Sequence, residues 1–263
     1  MKPVATTWGA GEYHLMAERL EGAARLVIDV AGIAAGDRVL DVACGNGNAA
    51  LLAAQLGAEV IGLDFEPALL AEARARAERA GAAVTLVTGD ATELPFPDEQ
   101  FTAVISVFGV MYAPDQARAA RELARVCARG GRAALAAWLP GSVMPAMGAV
   151  LAPYLPPPPA GGSPPSRWGD PRIHSTLLAN AGLTADGSSV ESVTLQFEDR
   201  EAAVDFLIRT AGNLIAERES LTRQGRWDTM RDDLGTFVDR HNTDESPTIS
   251  LQLDYLLSKA ARN

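Results

Sequence analysis

The chain has 263 residues, of which 48% are hydrophobic and 21% are charged, an ordinary balance for a globular protein with a sizeable core. Its formal net charge of -10, without a Lys/Arg cluster, argues against a nucleic-acid or anionic-membrane partner. The two cysteines, Cys44 and Cys127, lie in apolar segments, which predicts buried thiols in a reducing compartment and neither a disulfide nor a metal site.

The beginning of the chain has no apolar run of signal-peptide length, so we expect a cytoplasmic protein. The stretch between Arg132 and Arg167 carries no charged residue, but Pro140, Pro145 and Pro153 interrupt it. Because a membrane-spanning helix needs about 20 apolar residues without such breaks, we interpret the stretch as a buried strand followed by an apolar loop.

The first half of the chain alternates between helical and strand patterns. A one-faced helix is predicted over residues 13–31 and ends at Gly32. The predicted strands are 39–43, 59–63, 84–87, 101–107 and 132–138, and the predicted helices between them are 49–56, 67–80 and 115–127. Strands separated by helices of this length indicate right-handed crossovers and an α/β fold with a mostly parallel, Rossmann-like sheet.

Beyond residue 138 this alternation stops. A proline- and glycine-rich linker covers 156–165, and a short helix over 171–181 ends at Gly182. A strand at 190–197, helices at 201–217 and 226–240, and a last strand at 248–257 follow. We predict a single domain over 1–263, with a cofactor-binding core at about 32–138 and lid or substrate-binding elements at 1–31, 139–182 and 200–245.

The first strand runs into a glycine turn and then a helix, in the sequence Val39-Leu-Asp-Val-Ala-Cys-Gly-Asn-Gly-Asn-Ala-Ala50. This geometry presents backbone N–H groups to a nucleotide-like ligand. The spacing Gly45-x-Gly47-x-x-Ala50, with Asp64 ending the second strand, also fits the dinucleotide fingerprint. An NAD-dependent oxidoreductase is therefore one alternative.

Three acidic residues follow or end neighbouring strands: Asp41, Asp64 and Asp90. Carboxylates near the glycine turn repel a diphosphate and attract a cation. A ligand with an amino group, a ribose diol, an adenine amine and a sulfonium charge suits such a rim of the sheet better than a dinucleotide does.

These residues resemble the class I S-adenosylmethionine (SAM)-dependent methyltransferases of the small-molecule type, similar to those of ubiquinone and menaquinone biosynthesis. Residues 39–50 and 60–67 are similar to the first two motifs of the family, and residues 89–101 resemble its Asp-Ala…Leu-Pro-Phe segment. Glu122-Leu-Ala-Arg-Val126 resembles a later signature. Ala43 departs from the pattern, because the family usually has glycine there, and Arg129 stands where a proline is common.

The resemblance implies a doubly covered sheet with a helical lid, and a SAM site whose product is S-adenosylhomocysteine. Asp41 would face the amino-acid end of the cofactor, and Asp64 would accept from both ribose hydroxyls. The other implied cofactor contacts are Tyr13 as a lid residue, backbone at Ala43, Gly45 and Gly47, Phe65 and Ala91 at the adenine, Asp90 at its amine, and Phe108 near the transferred methyl.

The acceptor pocket is expected to use residues outside the shared core, and we predict Met111, Tyr112, Trp138 and Trp168 there. Their apolar character suggests a small apolar or aromatic acceptor, methylated in line with alignment as the main source of rate. Among the three histidines, His14 is the candidate base because it neighbours Tyr13. No metal is expected, and the protein is expected to be a monomer or homodimer.

Simpler interpretations stay open for several of these residues. Asp64 could cap the helix that begins near Pro67, and Asp90 could stabilise its own turn. Phe65 and Phe108 could be core aromatic residues. The whole chain could also be a non-catalytic SAM-binding module, because a cofactor site does not prove turnover.

Overall fold

A computed structural model of the protein describes residues 8–157, 162–244 and 248–263. The chain divides into two compact units. The sheet unit contains Leu20–Pro140, Gly161–Glu191 and Tyr255–Asn263, and the helical unit contains Met1–Arg19, Gly141–Ala160 and Ser192–Asp254. The predicted scheme of one domain with a core and lid elements stays a prediction. Within the predicted linker, residues 158–161 lie outside the described residues.

Seven strands of the described residues form one sheet in the order β3-β2-β1-β4-β5-β7-β6. The strands are β1 Arg38–Val42, β2 Glu59–Asp64, β3 Val84–Thr88, β4 Phe101–Val107, β5 Cys127–Trp138, β6 Leu183–Phe197 and β7 Ile249–Arg262. Strands β1 to β5 pair in parallel, and β7 pairs antiparallel with β5. This arrangement confirms the predicted α/β sheet, mostly parallel with an antiparallel last strand.

The α-helices are α1 Tyr13–Arg19, α2 Glu21–Ala31, α3 Asn48–Gln55, α4 Pro67–Ala80, α5 Gln116–Val126, α6 Val143–Leu151, α7 Pro171–Ala181, α8 Arg200–Thr210, α9 Gly212–Arg223 and α10 Trp227–His241. Short 3-10 helices cover Val110–Tyr112 and Pro165–Gly169. In the sheet unit, α2 packs on β4 and β5, and α4 packs on β2 and β3. The loops that follow the strands are therefore held by helices on the sheet.

Local sequence signals define helix α7. The side chain of Asp170 caps its start by accepting from the N–H of Arg172 at 2.9 Å and of Ile173 at 3.3 Å. Gly182 ends it in the left-handed conformation, with φ of 86°. The predicted bounds 171–181 are confirmed.

Two helices that the sequence predicts as continuous are each interrupted in the structure, so the prediction of their continuity is wrong. The helix predicted over 13–31 is interrupted at Leu20, and the helix predicted over 201–217 is interrupted at Ala211, whose ψ of 87° is not helical. The second break lies beside a long-range contact in the helical unit, where the Arg209 carbonyl oxygen accepts from the N–H of Glu12 at 2.8 Å. Tertiary pairing overrides local helix propensity there.

Three strand bounds also differ from the prediction. Strand β5 begins at Cys127 and not at residue 132, and β6 begins at Leu183 and not at residue 190. Strand β7 runs on to Arg262, since its residue Ala261 pairs with Arg132. Pairing with a neighbouring strand extends these strands past the apolar residues from which the sequence predicts them.

Candidate active site

The candidate site lies at the sheet edge where the carboxyl ends of β1, β2 and β4 meet. Asp41 pairs with Gly62 on one side and with Ile105 on the other. Because parallel strands share their carboxyl edge, the loops that follow them converge there. All the predicted cofactor residues except Tyr13 belong to the sheet unit.

The turn after β1 is made of left-handed backbone. Ala43, Gly45 and Gly47 have φ of 56°, 55° and 88°. A non-glycine residue in this conformation carries a cost of about 1–2 kcal/mol, so the departure at Ala43 is accommodated with local strain. The turn also approaches the loop after β4 closely, because a Cβ added at Gly109 would lie 2.5 Å from the Ala43 Cβ and 2.6 Å from its carbonyl oxygen.

Asp41 lies beneath this turn and is 2% exposed. Its Oδ2 accepts from the N–H of Ala50 at 3.0 Å, which ties the first turn of α3 to β1. Burial, together with the charge of Asp64, raises the pKa of Asp41 to about 8. A cation bound nearby would favour the ionised carboxylate.

Asp64 ends β2 and is 5% exposed. Its Oδ2 accepts from the N–H of Gly45 at 2.8 Å, and its Oδ1 accepts from the N–H of Glu66 at 2.9 Å. The N–H of Phe65 also interacts with this carboxylate. Since a carboxylate has about four acceptor positions, Asp64 can still accept a further hydrogen bond. The alternative that Asp64 caps α4 is wrong, since the cap is Glu66, which accepts from the N–H of Ala68 at 3.4 Å.

Asp90, Ala91 and Phe65 lie on the outer part of the site. Asp90 is exposed, and its Oδ1 accepts from the N–H of Thr92 at 2.7 Å and from its hydroxyl at 2.8 Å. Asp90 therefore stabilises its own turn, as the simpler interpretation states, and half-buried Ala91 lies within that turn. Phe65 is 42% exposed, so the interpretation as a core aromatic is wrong for this ring. Their contacts to a cofactor stay predictions.

Three aromatic rings pack together next to the ends of β4 and β5. Phe108 stacks on Trp138, with ring centroids 3.6 Å apart and planes 4° apart. Tyr255 of β7 meets both rings edge-on, at 5.1 Å and 6.1 Å. Phe108 is buried, as a core aromatic would be, and its role near a transferred methyl stays a prediction.

The four residues predicted for the acceptor pocket all lie in the sheet unit: Met111, Tyr112, Trp138 and Trp168. Gln116 Nε2 donates to the carbonyl oxygens of Met111 and Pro164, at 3.0 Å and 3.1 Å. A Cβ at Gly169 would lie 2.0 Å from the carbonyl oxygen of Trp138. The segments that carry these residues are therefore in direct contact, although only Tyr112 has a substantially exposed side chain, at 38%.

Tyr13 and His14 lie at the start of α1, in the helical unit. Tyr13 meets Trp8 edge-on, with ring centroids 6.3 Å apart. His14 is exposed to solvent. The predicted roles of Tyr13 as a lid residue and of His14 as a base stay predictions.

Residues 40–135 match a family described as a methyltransferase domain. An uncharacterised protein of Mycobacterium tuberculosis is 37% identical over 211 residues, which cover 79% of this chain and 76% of that protein. A demethylmenaquinone methyltransferase of Thermus thermophilus is 46% identical over 110 residues, 41% of this chain and 50% of that enzyme. The chain belongs to the class I SAM-dependent methyltransferases. The alternative of an NAD-dependent oxidoreductase is wrong.

Solved structures agree with the methyltransferase fold. A protein of Bacillus halodurans C-125, provisionally assigned as a methyltransferase, superimposes with a TM-score of 0.67 at 21% identity, covering 92% of this chain and 99% of that one. A geranyl diphosphate methyltransferase in complex with SAM superimposes with a TM-score of 0.57 at 20% identity, covering 100% and 93%. At these identities the likeness concerns the fold.

The later signature of this methyltransferase, Glu122 to Val126, holds a neighbouring loop in place. Glu122 accepts from the N–H of Leu94 at 2.7 Å, and Arg125 donates to the carbonyl oxygens of Leu94 and Phe96 at 2.9 Å and 2.7 Å. Arg125 and Glu122 also form an ion pair at 2.7 Å. The signature therefore fixes the Leu-Pro-Phe loop that follows Asp90.

Sequence reasoning missed two residues of α4 that hold the glycine turn. Arg76 Nη1 donates to the carbonyl oxygen of Asn46 at 2.9 Å and to Asn48 Oδ1 at 2.7 Å. Glu72 accepts from Asn46 Nδ2 at 3.5 Å. The helical spacing of residues 72 and 76 places both side chains on one face, but their partner loop is distant in sequence.

Glu66 was missed as well. It is 4% exposed, and its Oε2 is buried without a hydrogen-bond partner among the described residues. Its position two residues after Asp64 was the available signal. The methyltransferase thus buries a third carboxyl group beside the glycine turn.

Three further observations concern the described part of the methyltransferase. No helix there has both the length and the apolar character needed to cross a membrane. No group of three or more His, Cys, Asp or Glu side chains is placed there to hold a metal ion. Cys44 and Cys127 are both buried and free.

Proposed function

We propose that this enzyme binds SAM at the glycine turn and transfers its methyl group to a small, largely apolar or aromatic metabolite. The observation that carries the proposal is the set of buried acidic groups around the turn, Asp41, Asp64 and Glu66. Burying carboxyl groups together is unfavourable unless a cation or hydrogen-bond donors compensate them. SAM supplies both.

The donor and acceptor set fits the cofactor. The remaining acceptor capacity of Asp64 suits a hydroxyl of a ribose diol, and the unpartnered Oε2 of Glu66 suits a further hydroxyl or ammonium donor. The exposed ring of Phe65 supports the predicted contact with adenine. When bound, SAM supplies an electrophilic methyl group on a sulfonium centre.

The residues of the chain would act mainly by binding and alignment. The stacked pair Phe108–Trp138 forms an apolar wall that excludes water and attracts a cationic donor through its ring faces. Holding two reactants at near-attack distance supplies at best about 7–11 kcal/mol of rate enhancement. No base is needed for an amine or an activated carbon acceptor, and the predicted base His14 would serve a hydroxyl.

Relatives support the proposed acceptor class. The demethylmenaquinone methyltransferase of Thermus thermophilus and a 2-phytyl-1,4-naphtoquinone methyltransferase of Synechococcus elongatus, 39% identical over 116 residues, are named for quinone substrates. The aromatic and apolar residues that converge near Trp138 suit a ring of that kind. The atom that is methylated stays open among oxygen, nitrogen and carbon.

Equilibrium dialysis with tritium-labelled SAM tests the cofactor half of the proposal. We expect saturable binding by the wild-type chain and a loss of at least tenfold in affinity for Asp64→Asn, with Asp29→Asn as an exposed control that binds normally. Incubation with a panel of naphthols, quinols and aliphatic amines then tests transfer of label. Undiminished binding by a folded Asp64→Asn protein would refute the assigned site, and label transfer only to nucleic acid or polyanionic acceptors would refute the substrate class.

A further inference from the structure

Two buried ring nitrogens of the sheet unit have no hydrogen-bond partner among the described residues, Trp168 Nε1 and His174 Nε2. Trp168 is fully buried and His174 is 3% exposed. Their rings lie edge to face, with centroids 6.4 Å apart and planes at 67°. A buried polar atom without a partner costs about 1–3 kcal/mol, so two of them on neighbouring rings indicate a place where a bound group supplies partners.

The tautomer of His174 follows from its other nitrogen. Nδ1 lies 3.2 Å from the carbonyl oxygen of Trp168. A carbonyl oxygen can only accept, so Nδ1 carries the proton and Nε2 presents a lone pair. Burial lowers the pKa of His174 to about 4, which keeps the ring neutral near pH 7. The two rings thus offer one donor, the Trp168 N–H, and one acceptor, His174 Nε2.

This pair is connected to the residues predicted for the acceptor pocket. Gly169 follows Trp168, and its backbone lies so close to the carbonyl oxygen of Trp138 that a Cβ would not fit there. The ring of Trp138 in turn stacks on that of Phe108. Gln116 holds the start of the same segment through Pro164, and its Oε1 is also buried without a partner among the described residues. The segment that carries Trp168 is therefore in contact with the segments that carry Met111 and Trp138.

We propose that Trp168 and His174 form a hydroxyl-binding niche that anchors a hydroxyl group of the aromatic acceptor. A hydroxyl oxygen accepts from the Trp168 N–H while its hydrogen is donated to His174 Nε2. An ether lacks the hydrogen and an ammonium lacks the acceptor lone pair, so neither satisfies both nitrogens.

The niche rests on the proposed function. It restricts the proposed acceptor to an aromatic molecule that carries a hydroxyl group. Because both rings are buried, the 3-10 helix Pro165–Gly169 that carries Trp168 must shift to admit a ring-sized ligand. Short 3-10 helices have poorer hydrogen-bond geometry than α-helices, so a shift of this segment costs less than unwinding an α-helix of the core.

Nitrogen NMR of the full chain labelled with 15N-histidine tests the niche, with S-adenosylhomocysteine present. The chain has three histidines, and His174→Gln assigns the resonances of His174. We expect a protonated Nδ1 and an unprotonated Nε2. Added phenol should move the Nε2 resonance towards that of a hydrogen-bonded acceptor, and anisole, which has the same ring without the O–H, should leave it in place.

A second variant tests the donor. Trp168→Phe keeps an aromatic ring and removes the N–H, so the dissociation constant of phenol should rise about 2- to 10-fold, while that of anisole changes less. The niche is refuted if His174 carries its proton on Nε2, if phenol and anisole have equal effects, or if phenol does not bind. A resonance of Nε2 that is already hydrogen-bonded in the free protein and indifferent to phenol would assign the site to a fixed water and also refute it. Failure of the proposed function is distinguishable, because SAM would then not bind at all.

Discussion

Asp41→Asn should change how the stability of the ligand-free protein depends on pH. Burial raises the pKa of Asp41 from 3.8 to about 8, so the folded chain holds this proton more tightly than the unfolded chain does. Ionisation of the buried group therefore opposes folding. The stability contributed by the protonated form is complete below about pH 4 and is lost as the pH rises towards 8, on the order of 6 kcal/mol in total.

The asparagine variant removes this dependence and keeps the local contact. Its amide oxygen can still accept from the N–H of Ala50, which Asp41 Oδ2 contacts at 3.0 Å. The free energy of unfolding of the wild type should therefore fall relative to that of Asp41→Asn by about 1.4 kcal/mol per pH unit between pH 5 and pH 7. Urea denaturation followed by tryptophan fluorescence at several pH values measures both curves.

The comparison needs a control for the general effect of removing a carboxylate from this edge of the sheet. Asp90→Asn removes a carboxylate at an exposed position, so the change that it produces measures this general effect. Parallel curves for the wild type and Asp41→Asn would show that Asp41 is ionised at neutral pH in the free protein. A cation would then not be needed to compensate the buried acids.

Three further predictions concern the turn and the thiols. Arg76→Met, which loses the hydrogen bonds at 2.9 Å and 2.7 Å to the turn, should weaken SAM binding about tenfold in equilibrium dialysis, whereas the exposed Arg79→Met should bind normally; equal affinities would contradict the positioning role. Ala43→Gly should raise the free energy of unfolding by about 1 kcal/mol, because φ of 56° strains alanine, and a loss of stability in urea denaturation would exclude this account. Burial raises the pKa of both thiols, to about 11 for Cys127 and well above its ordinary value for Cys44, so neither should react with an aromatic disulfide reagent at pH 7.5 until guanidinium is added; rapid reaction of the native protein would disprove their burial.

The parts of the fold that sequence predicted well are those fixed by local signals. The bounds of α7 follow from the cap at Asp170 and the left-handed Gly182, and strand β4 was predicted from its apolar run alone. The break at Ala211 has no such signal. It depends on the Arg209 carbonyl group, which is paired with the N–H of Glu12 almost two hundred residues earlier in the chain.

The same distinction holds for the candidate site. Asp41 and Asp64 were found because strand ends of a parallel sheet share one edge. The sequence does not reveal Arg76, because its role depends on packing against a loop thirty residues away. It does not reveal Glu66 either, because the role of that residue depends on the burial of its side chain at the start of a helix. His174 was not selected as a candidate base, because only the structure shows that its Nε2 is buried without a partner among the described residues.

The close approach of Gly109 to Ala43 has a mechanical consequence. Gly109 has an ordinary φ of -102°, so its glycine is required by space and not by backbone conformation. At this contact the Ala43 methyl group and carbonyl oxygen face Gly109 directly. The hydroxyl of Ser106 joins the two segments further by donating to the Val42 carbonyl oxygen at 2.7 Å and accepting from the N–H of Val110 at 3.0 Å. If the proposed cofactor displaces the turn on binding, we expect Val110–Tyr112, which carries two residues of the proposed acceptor site, to move with it.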